Sequence, residues 1–218
     1  MTNVFEARRT ALLDALDRLT FIDPVIGHAL AEVGPPEPRV LEPGFAALLR
    51  IIVGQQVSTA SAEAIRERLW NAKGDDPMQF LALDDTALGA IGLSRAKMRY
   101  GRALAEAVVS GHLDPLGLAR VSSAEADAAL TALPGIGRWT ADIYRMFALG
   151  DPDVFPSGDL ALREGVRLLD GTTDRPTPTD TDTRSLRWKP HRSAAALLLW
   201  RLYRSRRGVA VLGADTDS

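Results

Sequence analysis

Apolar residues recur at three- and four-residue spacing through almost the whole chain, and no segment alternates apolar and polar residues strictly enough for a strand. That period puts the apolar side chains on one stripe of a helix, so the sequence predicts an all-α fold. Helices are expected at 4–19, 24–33, 43–56, 59–72, 77–82, 84–90, 95–110, 123–131, 138–149, 159–169 and 192–207. Many of their starts carry capping residues: Asp23-Pro24, Ser58, Asp76-Pro77, Ser94, and Ser122-Ser123 with Glu125 just inside. The prolines of GPPEPRVLEPG (34–44) exclude a continuous helix and mark a boundary. DGTTDRPTPTDTDT (170–183) reads as a second polar, proline-containing loop, and the terminal GADTDS as a frayed tail.

Composition removes several kinds of chemistry. The chain has no cysteine, which excludes disulfides, thiolate zinc sites, iron–sulfur clusters and a cysteine nucleophile. His28, His112 and His191 show no metal-ligand spacing. With 218 residues, 46% of them hydrophobic, there is material for one globular unit or two small lobes. The N-terminal MTNVFEARRTALLDALDRL reads as an amphipathic helix rather than a signal peptide, and no apolar run reaches membrane-spanning length. A soluble, cytoplasmic protein is expected, with no membrane partner.

The formal net charge of −2 and pI near 5.9 argue against a nucleic-acid partner, but the distribution is uneven. From Arg184 to Arg207 stand Arg184, Arg187, Lys189, Arg192, Arg201, Arg204, Arg206 and Arg207, without one Asp or Glu. The run reads either as a basic surface able to follow a phosphate backbone or as a solvated helix face.

A second feature points the same way. In Leu133-Pro134-Gly135-Ile136-Gly137-Arg138 the proline stops one helix, the glycines permit positive φ and close approach, and a new helix begins at once. The first amides of that helix have no intrahelical partner, so an anion can approach the backbone there, with Leu133 and Ile136 as apolar supports beneath. Taken without its surroundings, the same turn is an ordinary helix–helix connection.

The surroundings decide. FAALLRIIVGQQVSTASAEAI (45–65), IGLSRAKMRYGRALAEAV (91–108), LPGIGRWTADIYRMFALGDPDVFPSGDLAL (133–162) and LRWKPHRSAAALLLWRLY (186–203) together resemble the helix–hairpin–helix DNA glycosylases, in the 3-methyladenine DNA glycosylase II branch. The resemblance implies two helical lobes, 40–149 ending in the helix–hairpin–helix and 1–39 plus 150–218, without the N-terminal β-rich domain of longer relatives. Its partner would be damaged double-stranded DNA, bound by a monomer. Removing a base from a stacked duplex requires gripping the backbone, filling the vacated space and holding the extruded nucleotide. By resemblance, Gly135 and Gly137 hold a phosphate, with Arg138 and Arg192 as cationic contacts. Gln55 or Gln56, in GQQVS, enters the base stack; some relatives have leucine at the position of Gln56.

Asp159 matches the family's catalytic aspartate, and VFPSGD delivers a carboxylate to the start of a helix, where it can also cap. A fixed carboxylate there would stabilise positive charge on the sugar as the glycosidic bond breaks. Trp139 stands where strand-cleaving relatives have a lysine nucleophile, which implies a monofunctional hydrolase. Trp139 and Trp200 would form the base pocket, facing Asp159 across a cleft, and their indoles favour cationic alkylated bases such as 3-methyladenine and 7-methylguanine. Ile143 and Leu160 replace tyrosines of some relatives, implying a different substrate range. No cofactor is required; the main-chain carbonyls of Thr131, Leu133 and Ile136 would hold a monovalent sodium or potassium ion. Excision of deaminated or oxidised bases and non-catalytic DNA binding are the alternatives.

Overall fold

The computed structural model describes residues 3–208. In chain order its α-helices are α1 (Val4–Ile22), α2 (Pro24–Val33), α3 (Phe45–Gly54), α4 (Thr59–Asn71), α5 (Pro77–Ala82), α6 (Asp85–Ile91), α7 (Arg95–Val109), α8 (Ser123–Thr131), α9 (Arg138–Tyr144), α10 (Leu160–Asp170), α11 (Pro178–Ser185) and α12 (Arg192–Arg206). Short 3-10 turns lie at Gly117–Arg120 and Leu186–Trp188. Among the described residues there is no strand, so the all-α expectation holds. The helix expected over 138–149 runs as α9 and finishes in a π-helical turn, Arg145–Leu149. The tail at 213–218 lies outside the described residues.

The chain divides into two compact units: Leu41–Leu149, and a second formed by the segment up to Val40 together with the segment from Gly150 onward. In the first, α3 buries Phe45, Ala47, Leu48, Leu49, Ile51, Ile52 and Val53, as a helix apolar on most faces must. Helices α4, α7 and α9 pack around it. Phe80 of α5 is fully buried against Gly101 of α7, where a Cβ would come within 2.4 Å of its ring. Burying such a ring contributes about 1.5–3 kcal/mol. The Tyr144 hydroxyl accepts from the Gly44 N–H at 3.1 Å and donates to the Pro115 carbonyl at 3.0 Å. Burial pushes this phenol up to about 12, which keeps it a donor at every ordinary pH.

In the second unit, Gly165 of α10 meets α12 so closely that a Cβ would lie 2.8 Å from the Leu199 carbonyl oxygen. Trp188 is fully buried, and its indole N–H donates to Asp23 at 2.9 Å. Arg184 lies over that indole at 4.6 Å and bridges Asp23 at 2.7 Å and Asp170 at 2.9 Å. Burial works against the Asp23 charge, but the hydrogen bonds from Trp188 and Arg184, with the nearby arginine charges, outweigh it and hold the carboxyl below its ordinary range.

One expectation is corrected. The segment 170–183 is not loop throughout: α11 begins at Pro178. Thr177 caps the Asp180 N–H and the Asp180 carboxylate returns to the Thr177 N–H, while Pro178 occupies the first helical position, where a missing N–H costs nothing. The polar composition of PTDTDTRS hid a capping box, and the buried Thr181 and Ser185 supply the inward face.

Candidate functional site

Within the unit Leu41–Leu149, α8 starts from a Ser122/Glu125 capping box and the chain turns tightly after it, the Ile136 N–H donating to the Leu133 carbonyl at 3.2 Å. The two glycines differ in kind. Gly135 has φ +83, and a Cβ on it would stand 2.2 Å from the Tyr100 ring, so both backbone and packing demand glycine. Gly137 has an ordinary φ of −85 and no atom within 4 Å of a built Cβ. No packing inside the protein requires a glycine at 137; it is exposed at the N-terminus of α9, which has no side-chain cap. Ile136 is buried beneath the turn and Leu133 half-buried.

Arg138 projects beside this turn with 67% of its side chain exposed, while its Nε donates to both carboxylate oxygens of Asp142 at 3.0 and 3.2 Å. Asp142 is almost wholly buried, and Arg145, which bridges to Asp127 at 2.9 Å, lies 3.9 Å from it. Burial pushes the Asp142 carboxyl up to about 6, against the attraction of Arg138. Trp139 is half-buried.

The structure separates the two glutamines. Gln55 Nε2 donates to the Gly135 carbonyl at 3.0 Å and to Thr140 Oγ1 at 2.9 Å. Gln56 is exposed at φ +56, an unusual backbone for a non-glycine residue, at the tip of the turn after α3. Lys97 of α7 donates to the Val53 carbonyl at 2.6 Å at the C-terminal end of α3, and burial pulls its amine below the usual lysine range.

In the other unit, Asp159 is the N-cap of α10. Its Oδ1 accepts the Leu162 N–H at 2.9 Å and the Trp200 indole N–H at 3.2 Å. The loop before it is anchored by buried Val154, Phe155 and Pro156, with the Val154 N–H on Ser193 Oγ at 3.0 Å. The structure thus gives Trp200 of α12 a contact with the carboxylate in addition to its indole face. Leu160 is 61% exposed, whereas Ile143 is buried.

The run from Arg184 to Arg207 is open only in part: Arg187, Lys189 and Arg207 are exposed, whereas three of its arginines pair with acids. Arg184 is engaged by Asp23 and Asp170, Arg192 by Asp153 at 2.8 and 3.0 Å, and Arg206 by Glu32 at 2.9 Å. Arg192, expected at a DNA phosphate, also donates to the Asp153 carbonyl, so its guanidinium holds the loop that leads to Asp159. The compensating acids come from other parts of the sequence, which a local charge count does not see. Asp142, Tyr100 and Lys97 had no role in the sequence reading; the i,i+4 spacing of Arg138 and Asp142 was a readable signal for the first.

These two helical units, one built around a glycine hairpin and the other presenting a capped aspartate, define a helix–hairpin–helix protein. The profile of the HhH-GPD superfamily of base excision DNA repair proteins matches residues 49–191, and the chain belongs to that superfamily. It is 33% identical to DNA-3-methyladenine glycosylase 1 of Schizosaccharomyces pombe over 71% of this chain and 70% of that protein. DNA-3-methyladenine glycosylase 2 of Escherichia coli is 30% identical over 81% of this chain and 65% of its own length. Among solved structures, the 3-methyladenine DNA glycosylase of S. pombe in complex with abasic DNA superposes with a TM-score of 0.80 at 29% identity, covering 89% of this chain and 97% of that one.

Proposed function

We propose that this chain is a monofunctional DNA glycosylase that removes alkylated, cationic bases such as 3-methyladenine and 7-methylguanine and leaves an abasic site. The observation that carries the reading is the Asp159 carboxylate, held by the Leu162 amide and the Trp200 indole at the start of α10 in a chain with alkyl-base glycosylase relatives. The C1′–N bond breaks with its electron pair leaving on the base, which neutralises the positive charge of an alkylated ring. Asp159 stabilises the charge left on the sugar and orients the water whose oxygen bonds to C1′ while one of its protons is released to solvent. The amides around Gly135 and Gly137 grip a phosphate, with Arg138 beside them. Gln56 fills the gap in the stack. Trp139 and Trp200 offer indole faces to the cationic base.

Trp139 supplies no amine for Schiff-base attack, so the strand stays intact. A monovalent cation on the carbonyls of Thr131, Leu133 and Ile136 belongs to the same reading. The Leu133 carbonyl already accepts from Ile136 and keeps one lone pair for such an ion. The ion would add positive charge beside the phosphate, and the chain acts as a monomer.

The test is a panel of duplex oligonucleotides carrying 3-methyladenine, 7-methylguanine, hypoxanthine, 8-oxoguanine or uracil, incubated with protein and analysed with and without alkali. Strand breaks at the methylated purines that appear on alkali treatment are expected. Breaks without alkali, trapped by borohydride, would overturn the monofunctional assignment. Activity confined to uracil or 8-oxoguanine would overturn the substrate class, and binding without excision would leave a non-catalytic helix–hairpin–helix protein.

A further inference from the structure

The Gln55 carboxamide occupies a position that the reaction steps leave unused. Its Nε2 spans from the turn after α3 to the hairpin, donating to the Gly135 carbonyl at 3.0 Å and Thr140 Oγ1 at 2.9 Å. A carbonyl can only accept, so the amide nitrogen must face the hairpin. Its own N–H is engaged as the C-cap of α3, on the Ile52 carbonyl at 3.2 Å. With Gln55 fixed at both main chain and side chain, the next residue turns into the left-handed region and is exposed, at φ +56. For Gln55 to enter a base stack it would first have to abandon two half-buried hydrogen bonds, whereas Gln56 has no such bond to give up among those described.

We infer that Gln55 is a positioning residue that couples the hairpin's grip on the phosphate to insertion of Gln56 into the duplex. The inference rests on the glycosylase reading above. Its two hydrogen bonds fix the insertion loop in register with Gly135, two residues before Gly137, the N-cap of α9. A phosphate seated on the hairpin then sets where the Gln56 side chain meets the stack.

The test uses the full chain and a duplex with a tetrahydrofuran abasic site beside 2-aminopurine, whose fluorescence reports insertion without any chemistry. Gln55→Met keeps the bulk and removes the amide. Its affinity for this duplex should stay within about threefold of wild type, while the insertion phase slows by roughly tenfold and kcat for 7-methylguanine falls with KM little changed. A double-mutant cycle supplies the readout that a merely structural role would not move. On a Gln56→Ala background the further change to Gln55→Met should alter insertion less than about twofold, because the coupled element is already gone. An undiminished loss on that background, or a Gln55→Met protein that inserts like wild type, would overturn the inference while wild-type excision leaves the glycosylase reading standing. A wild-type protein that neither inserts nor excises would overturn both.

Discussion

Asp159 has two duties on one oxygen, since Oδ1 both caps the Leu162 N–H and receives the Trp200 indole N–H. Asparagine caps as well as aspartate and its amide oxygen accepts the same two bonds, so Asp159→Asn isolates the charge from the scaffold. Single-turnover excision of 7-methylguanine should fall by roughly two to three orders of magnitude, the loss typical of removing one preorganised electrostatic group. The melting temperature and the affinity for abasic duplex should hold. Near-normal turnover would leave Asp159 as a cap and nothing more. Trp200→Phe, which keeps the aromatic face and deletes the donor, should lower kcat by about tenfold by releasing one of the bonds that orient the carboxylate. Asp159 was legible because a Gly-Asp pair before an apolar run is a helix start and because the surrounding block resembles a known one. Its partner was not, since Trp200 stands 41 residues away on a different helix.

At the scale of elements, the hairpin separates what glycine does for folding from what it does for a ligand. Gly135→Ala must be costly: φ +83 is worth about 1–2 kcal/mol for a residue with a Cβ, and the Tyr100 ring occupies the space that Cβ would need. Gly137→Ala meets neither obstacle, and the entropy it removes from the unfolded chain offsets alanine's poorer capping at this N-cap, so folding stability should stay within about 1 kcal/mol of wild type. Its affinity for damaged duplex should nevertheless drop by at least about tenfold, because the methyl group stands where a phosphate approaches. Urea melts and binding titrations of the two variants check the contrast, and a Gly137→Ala protein that binds normally would remove the phosphate site from this turn. Helix α9 carries a pH signature as well. The folded Asp142 carboxyl lies near 6 against 3.8 for an ordinary aspartate, so the folded form binds that proton more tightly than the unfolded chain. The stability this group contributes is therefore full below about pH 3.8 and lost as pH rises through about 6, by up to roughly 3 kcal/mol. Asp142→Asn should lack this step in urea midpoints measured from pH 4 to 7; a parallel profile would contradict the burial-driven shift. Element boundaries were readable where apolar periodicity and caps agreed, as at Ser122 and Asp76. They failed at α11, where eight mostly polar residues have too little periodicity to compete with their proline and threonine content.

For the whole molecule, the helical class was legible because one period runs through nearly every segment, whereas the electrostatics were not, because they are settled by pairs distant in sequence. The chain is net acidic, and three arginines of its C-terminal basic run, Arg184, Arg192 and Arg206, are engaged by Asp23, Asp170, Asp153 and Glu32, while Arg187, Lys189 and Arg207 are exposed. If the duplex is held chiefly through main-chain amides at the hairpin, few counterions are released on binding. Each phosphate neutralised by a cation adds about 0.9 to the slope of log K against log salt. Arg138→Ala should therefore reduce that slope by about 0.9, its exposed guanidinium standing beside the hairpin. Arg192→Ala should leave the slope unchanged and instead destabilise its own unit by about 1–3 kcal/mol, because it strands the half-buried Asp153 carboxylate. Binding isotherms on abasic duplex between roughly 50 and 200 mM salt, paired with urea melts of the same variants, decide between the two assignments. A slope that drops for Arg192→Ala at unchanged stability would return the C-terminal basic run to the DNA interface.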